Sequence, residues 1–260
     1  MRRVTSIAVL TTAVLSLLSG VVPFGNVVAQ VRQFECEGRK ELSASEAATL
    51  IAAVQSAYGK VSASTGKFAQ ESYLAALDTS EVSSGTMWFQ KPGKMRWSYT
   101  EPRQQEVVVS GDTMWVHQID KNQVMVDAIK SALLSDLPIA FLMGLGDLTR
   151  DFDVKSGCRT PDGVVVSLVP KTAKKSGAEG GTEAGGDLSG FDLLLDEGAA
   201  LPKGAMVTAL GGNVTAIVFE KLRASGVNPP AGTFVLEYPK GVDIVDRRSF
   251  GDEAGGQATQ

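Results

Sequence analysis

The sequence has very little of the chemistry on which enzymes and metal centres depend. Its 260 residues include a single histidine, His117, and two cysteines. No HExxH, CxxC or GxSxG motif occurs, and Gly144-Leu145-Gly146 lacks the rest of a dinucleotide fingerprint. Proton transfer, nucleophilic attack and metal binding need such groups in convergent sets. We therefore expect no enzymatic activity, no cofactor and no resident metal ion.

The remaining candidates for catalysis have simpler explanations. His117 follows Trp115 by two residues in a predicted strand, so both lie on one strand face, which favours a structural histidine. Asp151 and Asp153 also share a strand face, but an acidic pair beside a turn is typical of a solvated edge.

The first 29 residues have no acidic side chain and resemble a cleaved secretory signal. Arg2 and Arg3 precede an apolar run from residue 7 to residue 24, and Val27 and Ala29 supply the small residues that a signal peptidase needs. A permanent membrane anchor is the weaker alternative, because threonine and serine interrupt the apolar run. We expect the mature protein to reach the periplasm.

Positive charge is scarce in the mature chain. Without residues 1–29, the remaining 231 residues carry 23 basic and 29 acidic groups, a net charge of −6. A nucleic-acid partner is therefore not expected.

The two cysteines, Cys36 and Cys158, favour one disulfide over a metal site in an exported protein. Two separate buried thiols remain an alternative, because the sequence does not reveal the distance between the two Cα atoms.

Most of the chain alternates between short β-like segments and turns. Before them, Ser43 and Glu46 fit a capping box at the start of an amphipathic helix that is predicted to end near Ser64. The predicted strands are 67–73, 82–90, 94–100, 105–110, 113–118, 122–126, 151–155, 163–169, 190–196, 202–209, 213–221 and 233–238. Short turns between them predict a mainly β fold, an incomplete antiparallel β-barrel of about 11 strands.

Three other segments complete the predicted organisation. Residues 127–149 are rich in leucine and alanine and predict one or two short helices, broken near Pro138, that cover one face of the sheet together with the first helix. The Gly-rich tract 171–190 predicts a mobile loop, and 247–260 a disordered tail. A single domain is thus expected over residues 30–246.

The densest aromatic stretch is GTMWFQKPGKMRWSYTEP, residues 85–102. The two-residue period of a strand places Met95, Trp97 and Tyr99 on one face and Lys94, Arg96 and Ser98 on the other. Ordinary core beneath the first helix is the simplest explanation of such an apolar face.

Four motifs in order make the sequence similar to the outer-membrane lipoprotein carrier family, LolA. They are residues 85–102, VVVSGDTMWVHQIDKNQV at 107–124, LPIAFLMG at 137–144 and GTFVLEYPKGVDIV at 232–245. The resemblance extends from about Lys67 to Asp246. It implies an incomplete barrel closed by a helical lid, with a hydrophobic cavity between them that takes up the acyl chains of lipoproteins.

The resemblance also implies site residues. Cavity-lining candidates on the sheet are Met87, Phe89, Met95, Trp97, Tyr99, Val107 and Val109, and those on the lid are Leu137, Ile139, Phe141, Leu142 and Met143. In relatives an arginine latches the lid; Lys91 stands at the matching position, and Arg96 is an alternative latch.

The implied function is a monomeric periplasmic chaperone that carries acylated lipoproteins from the inner to the outer membrane. Its expected partners are a lipoprotein-releasing ABC transporter in the inner membrane and a lipoprotein acceptor in the outer membrane. A lipoprotein-sensing regulatory module and a carrier of another amphiphilic lipid are the alternatives.

Overall fold

A computed structural model of the chain describes residues 29–129, 147–171, 188–196, 201–224 and 228–248. The helices in these ranges are α1 (Ala29–Arg32), α2 (Ala44–Gly59) and α3 (Leu148–Asp151). The strands are β1 (Lys40–Glu41), β2 (Ala63–Leu74), β3 (Thr79–Gln90), β4 (Lys94–Glu101), β5 (Gln105–Ser110), β6 (Thr113–Gln118), β7 (Gln123–Ala128), β8 (Phe152–Thr160), β9 (Gly163–Pro170), β10 (Leu188–Leu195), β11 (Pro202–Ala209), β12 (Val214–Ala224) and β13 (Asp243–Asp246).

The strands form one 13-stranded sheet in the order β1-β8-β9-β10-β11-β12-β2-β3-β4-β5-β6-β7-β13. Neighbouring strands are antiparallel except β13, which runs parallel to β7. The edge strands β1 and β13 do not pair with each other, so the described sheet is open. The mainly β fold and the incomplete barrel predicted from the sequence are confirmed.

Helix α2 begins with the predicted capping box. The Ser43 hydroxyl accepts a hydrogen bond from the backbone N–H of Glu46, and the Glu46 carboxylate accepts one from the backbone N–H of Ser43. The helix ends at Gly59 rather than near Ser64, because the chain enters β2 at Ala63. Val61 continues the apolar spacing of the helix, and it is buried in the core from the connection between the two elements.

The main hydrophobic core lies between α2 and one face of the sheet, which we call the inner face. Apolar side chains of β2 to β5 and β8 to β12 meet those of the helix in one cluster. The residues that α2 contributes to it are Ala47, Ile51, Val54 and Tyr58. Because both halves of the sheet reach the same cluster, the sheet curves around it.

A second, smaller cluster covers part of the opposite, outer face. Phe34, which follows α1, packs there with Val165, Leu194 and Ala216. Cys36 and Cys158 form a disulfide in this cluster, with their Cα atoms 5.7 Å apart. The structure thus contains the single disulfide that the sequence favoured.

The C-terminal segment departs from the sequence expectation. Residues 233–238, predicted as a strand, have no strand structure, and β13 lies at residues 243–246 instead. The Arg96 guanidinium donates to the carbonyl oxygens of Thr233 and Val235. The backbone of this segment is thus bound by a side chain of β4 and not by a paired strand. The segment continues past residue 246, where Arg247 pairs with Asp127.

Candidate functional site

The predicted cavity residues of the sheet lie next to one another on its inner face. The strand register places Trp97 opposite both Met87 and Val107, and Met95 opposite both Phe89 and Val109. Met87, Phe89, Met95, Trp97 and Val109 are each at most 4% exposed, whereas Tyr99 and Val107 are partly buried against the same cluster. All seven residues therefore contribute to one continuous apolar surface.

Trp97 is the centre of an aromatic group on this surface. The centroid of its ring system lies 4.5 Å from that of Phe68, 5.7 Å from that of Phe89 and 6.4 Å from that of Phe219. Tyr99 joins the group through an edge-on contact with Phe68 at 5.0 Å. Offset and edge-on ring pairs of this kind add stability beyond the area that they bury.

Phe68 and Phe219 were not among the residues predicted from the sequence. They face each other across β2 and β12, two strands that are far apart in the chain. Strand alternation within β2 could have placed Phe68 on one face, but only the pairing of distant strands brings it to Trp97.

The position of Phe68 depends on a glycine in β3. A Cβ atom at Gly85 would lie 1.9 Å from the Ser98 carbonyl oxygen and 2.9 Å from a ring carbon of Phe68. A side chain at this position would therefore collide with β4 and with the Phe68 ring. The absence of a side chain lets Phe68 lie over β3 and reach Trp97.

The indole nitrogen of Trp97, Nε1, is buried on the inner face and makes no hydrogen bond to any of the described residues. An unsatisfied buried donor costs about 1–3 kcal/mol of stability, and most buried polar groups in folded proteins are hydrogen-bonded.

The inner face also carries a cleft of about 250 Å³ whose lining is mostly polar. It is lined by Gln70, Ser72, Leu74, Glu81, Ser83, Tyr99, Glu101, Pro102, Arg103 and Gln105. Tyr99 belongs to both surfaces, since it packs against the core cluster and donates a hydrogen bond from its hydroxyl to Gln70 Oε1 at 3.1 Å. The rest of the cleft lining was not predicted, although Gln70 and Ser72 continue the same face of β2 as Phe68.

Lys91 follows β3, and its side chain reaches the C-terminal end of α2. Its ammonium group donates to the Tyr58 carbonyl oxygen and lies 3.6 Å from the centroid of the Tyr58 ring. Burial lowers the pKa of Lys91 below its ordinary value. The same desolvation raises the pKa of Tyr58 above its ordinary value.

Arg96 lies on the outer face. Its guanidinium pairs with Glu106 at 3.0 Å, in addition to its two bonds to the carbonyl oxygens of the C-terminal segment. His117 lies on the same face, only 6% exposed, with its ring 6.4 Å from that of Tyr238.

The lid candidates Leu137, Ile139, Phe141, Leu142 and Met143 lie outside the described residues. Contacts of Lys91 or Arg96 with that segment are therefore not described, and their role as a latch stays a prediction.

The described ranges contain no group of three or more histidine, cysteine, aspartate or glutamate side chains that could hold a metal ion. None of the helices described is both long enough and apolar enough to cross a membrane.

Residues 59–235 match the family described as outer membrane lipoprotein carrier protein LolA. The chain belongs to the LolA family. The match extends from the end of α2 to the segment before β13, and it includes every inner-face residue predicted on the sheet. The helix α1, Cys36 and β13 lie outside the range that matches LolA.

Sequence alignments with individual relatives support this family membership. Proteins named outer-membrane lipoprotein carrier protein are 32% identical over 199 residues in Cupriavidus pinatubonensis and 30% identical over 203 residues in Alkalilimnicola ehrlichii. The first alignment covers 74% of this chain and 85% of the relative, and the second covers 78% and 83%. A third relative of the same name, from Dechloromonas aromatica, is 34% identical over 169 residues, which is 64% of this chain and 72% of the relative.

Proposed function

We propose that this protein is a periplasmic chaperone that binds the acyl chains of lipoproteins against the inner face and carries them from the inner membrane to the outer membrane. The observation that carries the proposal is the continuous apolar surface of Met87, Phe89, Met95, Trp97, Tyr99, Val107 and Val109 in a member of the LolA family. The names of the relatives, which describe lipoprotein carriers, support the same function.

Acylated cargo needs such a surface to cross an aqueous compartment. At about 0.8 kcal/mol per CH₂, each 16-carbon chain costs about 13 kcal/mol to expose to water. A carrier that recovered all of this free energy could not release its cargo, so a partly complementary surface suits the task. Methionines such as Met87 and Met95 support the proposal, because their flexible thioether side chains adapt to irregular ligands.

The proposal includes a route and partners. A lipoprotein-releasing ABC transporter in the inner membrane would load the carrier, and an acceptor in the outer membrane would unload it. The transporter would supply the energy, so the carrier itself needs neither catalysis nor a cofactor. It would act as a monomer after removal of residues 1–29.

A release assay tests the proposed function. The mature protein is added to spheroplasts that contain lipoproteins labelled with radioactive palmitate, and the supernatant is separated by size. We expect labelled lipoprotein to elute together with the carrier, as it does with a known LolA protein used as the positive control.

The opposite outcome is equally informative. Supernatant without labelled lipoprotein, while the positive control releases it, would contradict the proposal. Mass spectrometry of ligands extracted from the purified protein would then distinguish a carrier of another amphiphilic lipid from a regulatory module that senses lipoproteins.

A further inference from the structure

Two neighbouring turns at one end of the sheet expose leucine side chains to solvent. Leu74 and Leu77, at the turn between β2 and β3, are 43% and 68% exposed, and Leu210, between β11 and β12, is 68% exposed. The two turns are in contact, because the backbone N–H of Ala75 donates a hydrogen bond to the Asn213 side-chain oxygen at 3.0 Å. The three leucines therefore form one apolar projection, which we call the leucine tip.

The leucine tip contains no charged residue. Residues 74–77 read Leu-Ala-Ala-Leu and residues 209–212 read Ala-Leu-Gly-Gly. The nearest acid, Asp78, accepts a hydrogen bond from the Tyr73 hydroxyl at 2.9 Å. The described turns at the opposite end of the sheet, at 91–93, 111–112 and 161–162, expose no large apolar side chain. Single exposed leucines are common on protein surfaces, but a group of three at one end indicates an interaction site.

The shape and charge of the leucine tip favour a lipid surface over a protein partner. A stable interface between two proteins buries about 800 Å² on each partner, and three side chains on two narrow turns supply only a small part of that area. A fluid lipid surface needs no complementary shape, and apolar side chains enter it at the boundary between headgroups and acyl chains. The net charge of −6 of the mature chain favours neutral over anionic headgroups.

The leucine tip adjoins the cleft. Leu74 lines the cleft together with Tyr99, which also packs against the apolar cluster of the inner face. A membrane in contact with the leucine tip would therefore lie beside the cleft, at the end of the inner face where Tyr99 lies.

We infer that the leucine tip docks the carrier on a phospholipid membrane surface with neutral headgroups. This inference rests on the proposed function, to which it adds a direct contact with the bilayer during loading or delivery of cargo. Three leucines give weak and reversible binding, which suits a carrier that has to leave the membrane again.

Flotation with vesicles tests the docking site. The mature protein, without cargo, is mixed with vesicles of dioleoylphosphatidylcholine, or with vesicles that also contain dioleoylphosphatidylglycerol, at millimolar lipid. The test variant is Leu77→Ser, Leu210→Ser. The control is Val235→Ser, Ile244→Ser, which removes two apolar side chains that are 57% and 50% exposed in the C-terminal segment.

We expect the wild-type protein and the control to float with the phosphatidylcholine vesicles, and less with the anionic ones. The partition coefficient of the test variant should be lower by about tenfold. Absence of flotation of the wild-type protein would overturn the inference, whatever the variants do. Equal flotation of the test variant and the wild-type protein would overturn it as well, and a loss of cargo release in that variant would then assign the leucine tip to a protein partner.

Flotation needs no cargo, so its outcome is independent of the release assay. Normal release of lipoproteins without flotation would contradict the docking site alone. Flotation without release of lipoproteins would contradict the proposed function and leave the membrane contact of the leucine tip in place.

Discussion

At the scale of single residues, the aromatic group on the inner face depends on the space above Gly85. We predict that Gly85→Ala lowers the free energy of unfolding by about 3 kcal/mol, because the new methyl group collides with the Ser98 carbonyl oxygen and the Phe68 ring. Urea unfolding measures the change. Gly211→Ala is the control, since a Cβ atom there meets nothing within 4 Å. Equal stability of the two variants would show that Phe68 does not occupy this position.

Asp192 in β10 provides a prediction about pH. Burial raises the pKa of its carboxyl group, an effect that a hydrogen bond from Ser167 only partly offsets. A carboxyl whose pKa is higher in the folded state than in the unfolded state stabilises the fold at acidic pH. That contribution is lost as the pH rises through the folded-state value. The ionised Asp192 side chain therefore lowers stability at neutral pH.

We predict that Asp192→Asn raises the melting temperature at pH 7 by about 2–4 °C. The gain should shrink as the pH falls through the raised folded-state pKa of Asp192, because the wild-type carboxyl then becomes neutral too. Thermal unfolding at several pH values measures it, with Asp162→Asn in an exposed turn as the control. A gain that stays constant with pH would contradict the assignment.

The sequence predicted part of the candidate site at this scale. Alternation within β4 correctly grouped Met95, Trp97 and Tyr99, because neighbours in one strand determine that pattern. Phe219 joins them from a strand more than 100 residues away in the chain, and no local pattern reveals which strands pair. The lack of a hydrogen-bond partner for the Trp97 nitrogen among the described residues is likewise visible only in the folded structure.

At the scale of elements, the disulfide holds the segment after α1 against β8. Cys36 and Cys158 are 122 residues apart in sequence, so the bond removes much conformational freedom from the unfolded chain. We predict that the double variant Cys36→Ala, Cys158→Ala loses about 2–5 kcal/mol of unfolding free energy. Urea unfolding measures the loss. Titration of two free thiols in the unreduced, denatured wild-type protein would contradict the bond.

The strand boundaries show how far local patterns extend. The bounds predicted for β5, β6 and β11 agree with the structure, because short turns or clear composition changes limit these strands. The strand predicted at 233–238 was wrong. The composition of these residues favours a strand, but in the structure the Arg96 side chain binds the carbonyl oxygens of Thr233 and Val235. Strand propensity describes a segment, whereas pairing depends on the edge that is available to it.

At the scale of the whole molecule, the sheet has two differently covered faces. The inner face combines side chains from both halves of the sheet with those of α2 into one apolar cluster. On the outer face, the disulfide cluster covers part of β8 to β12, and Arg96 and β13 hold the C-terminal segment near β4 to β7. This difference between the faces is the basis of the proposed function.

Photo-crosslinking from each face tests this account most directly. A benzophenone amino acid replaces either Tyr99, on the inner face, or Trp115, which pairs with Val108 on the outer face. Each variant is illuminated with spheroplasts whose lipoproteins carry radioactive palmitate. We predict a labelled covalent adduct from position 99 and little or none from position 115. Equal labelling from both positions, or labelling from position 115 alone, would contradict acyl-chain binding on the inner face.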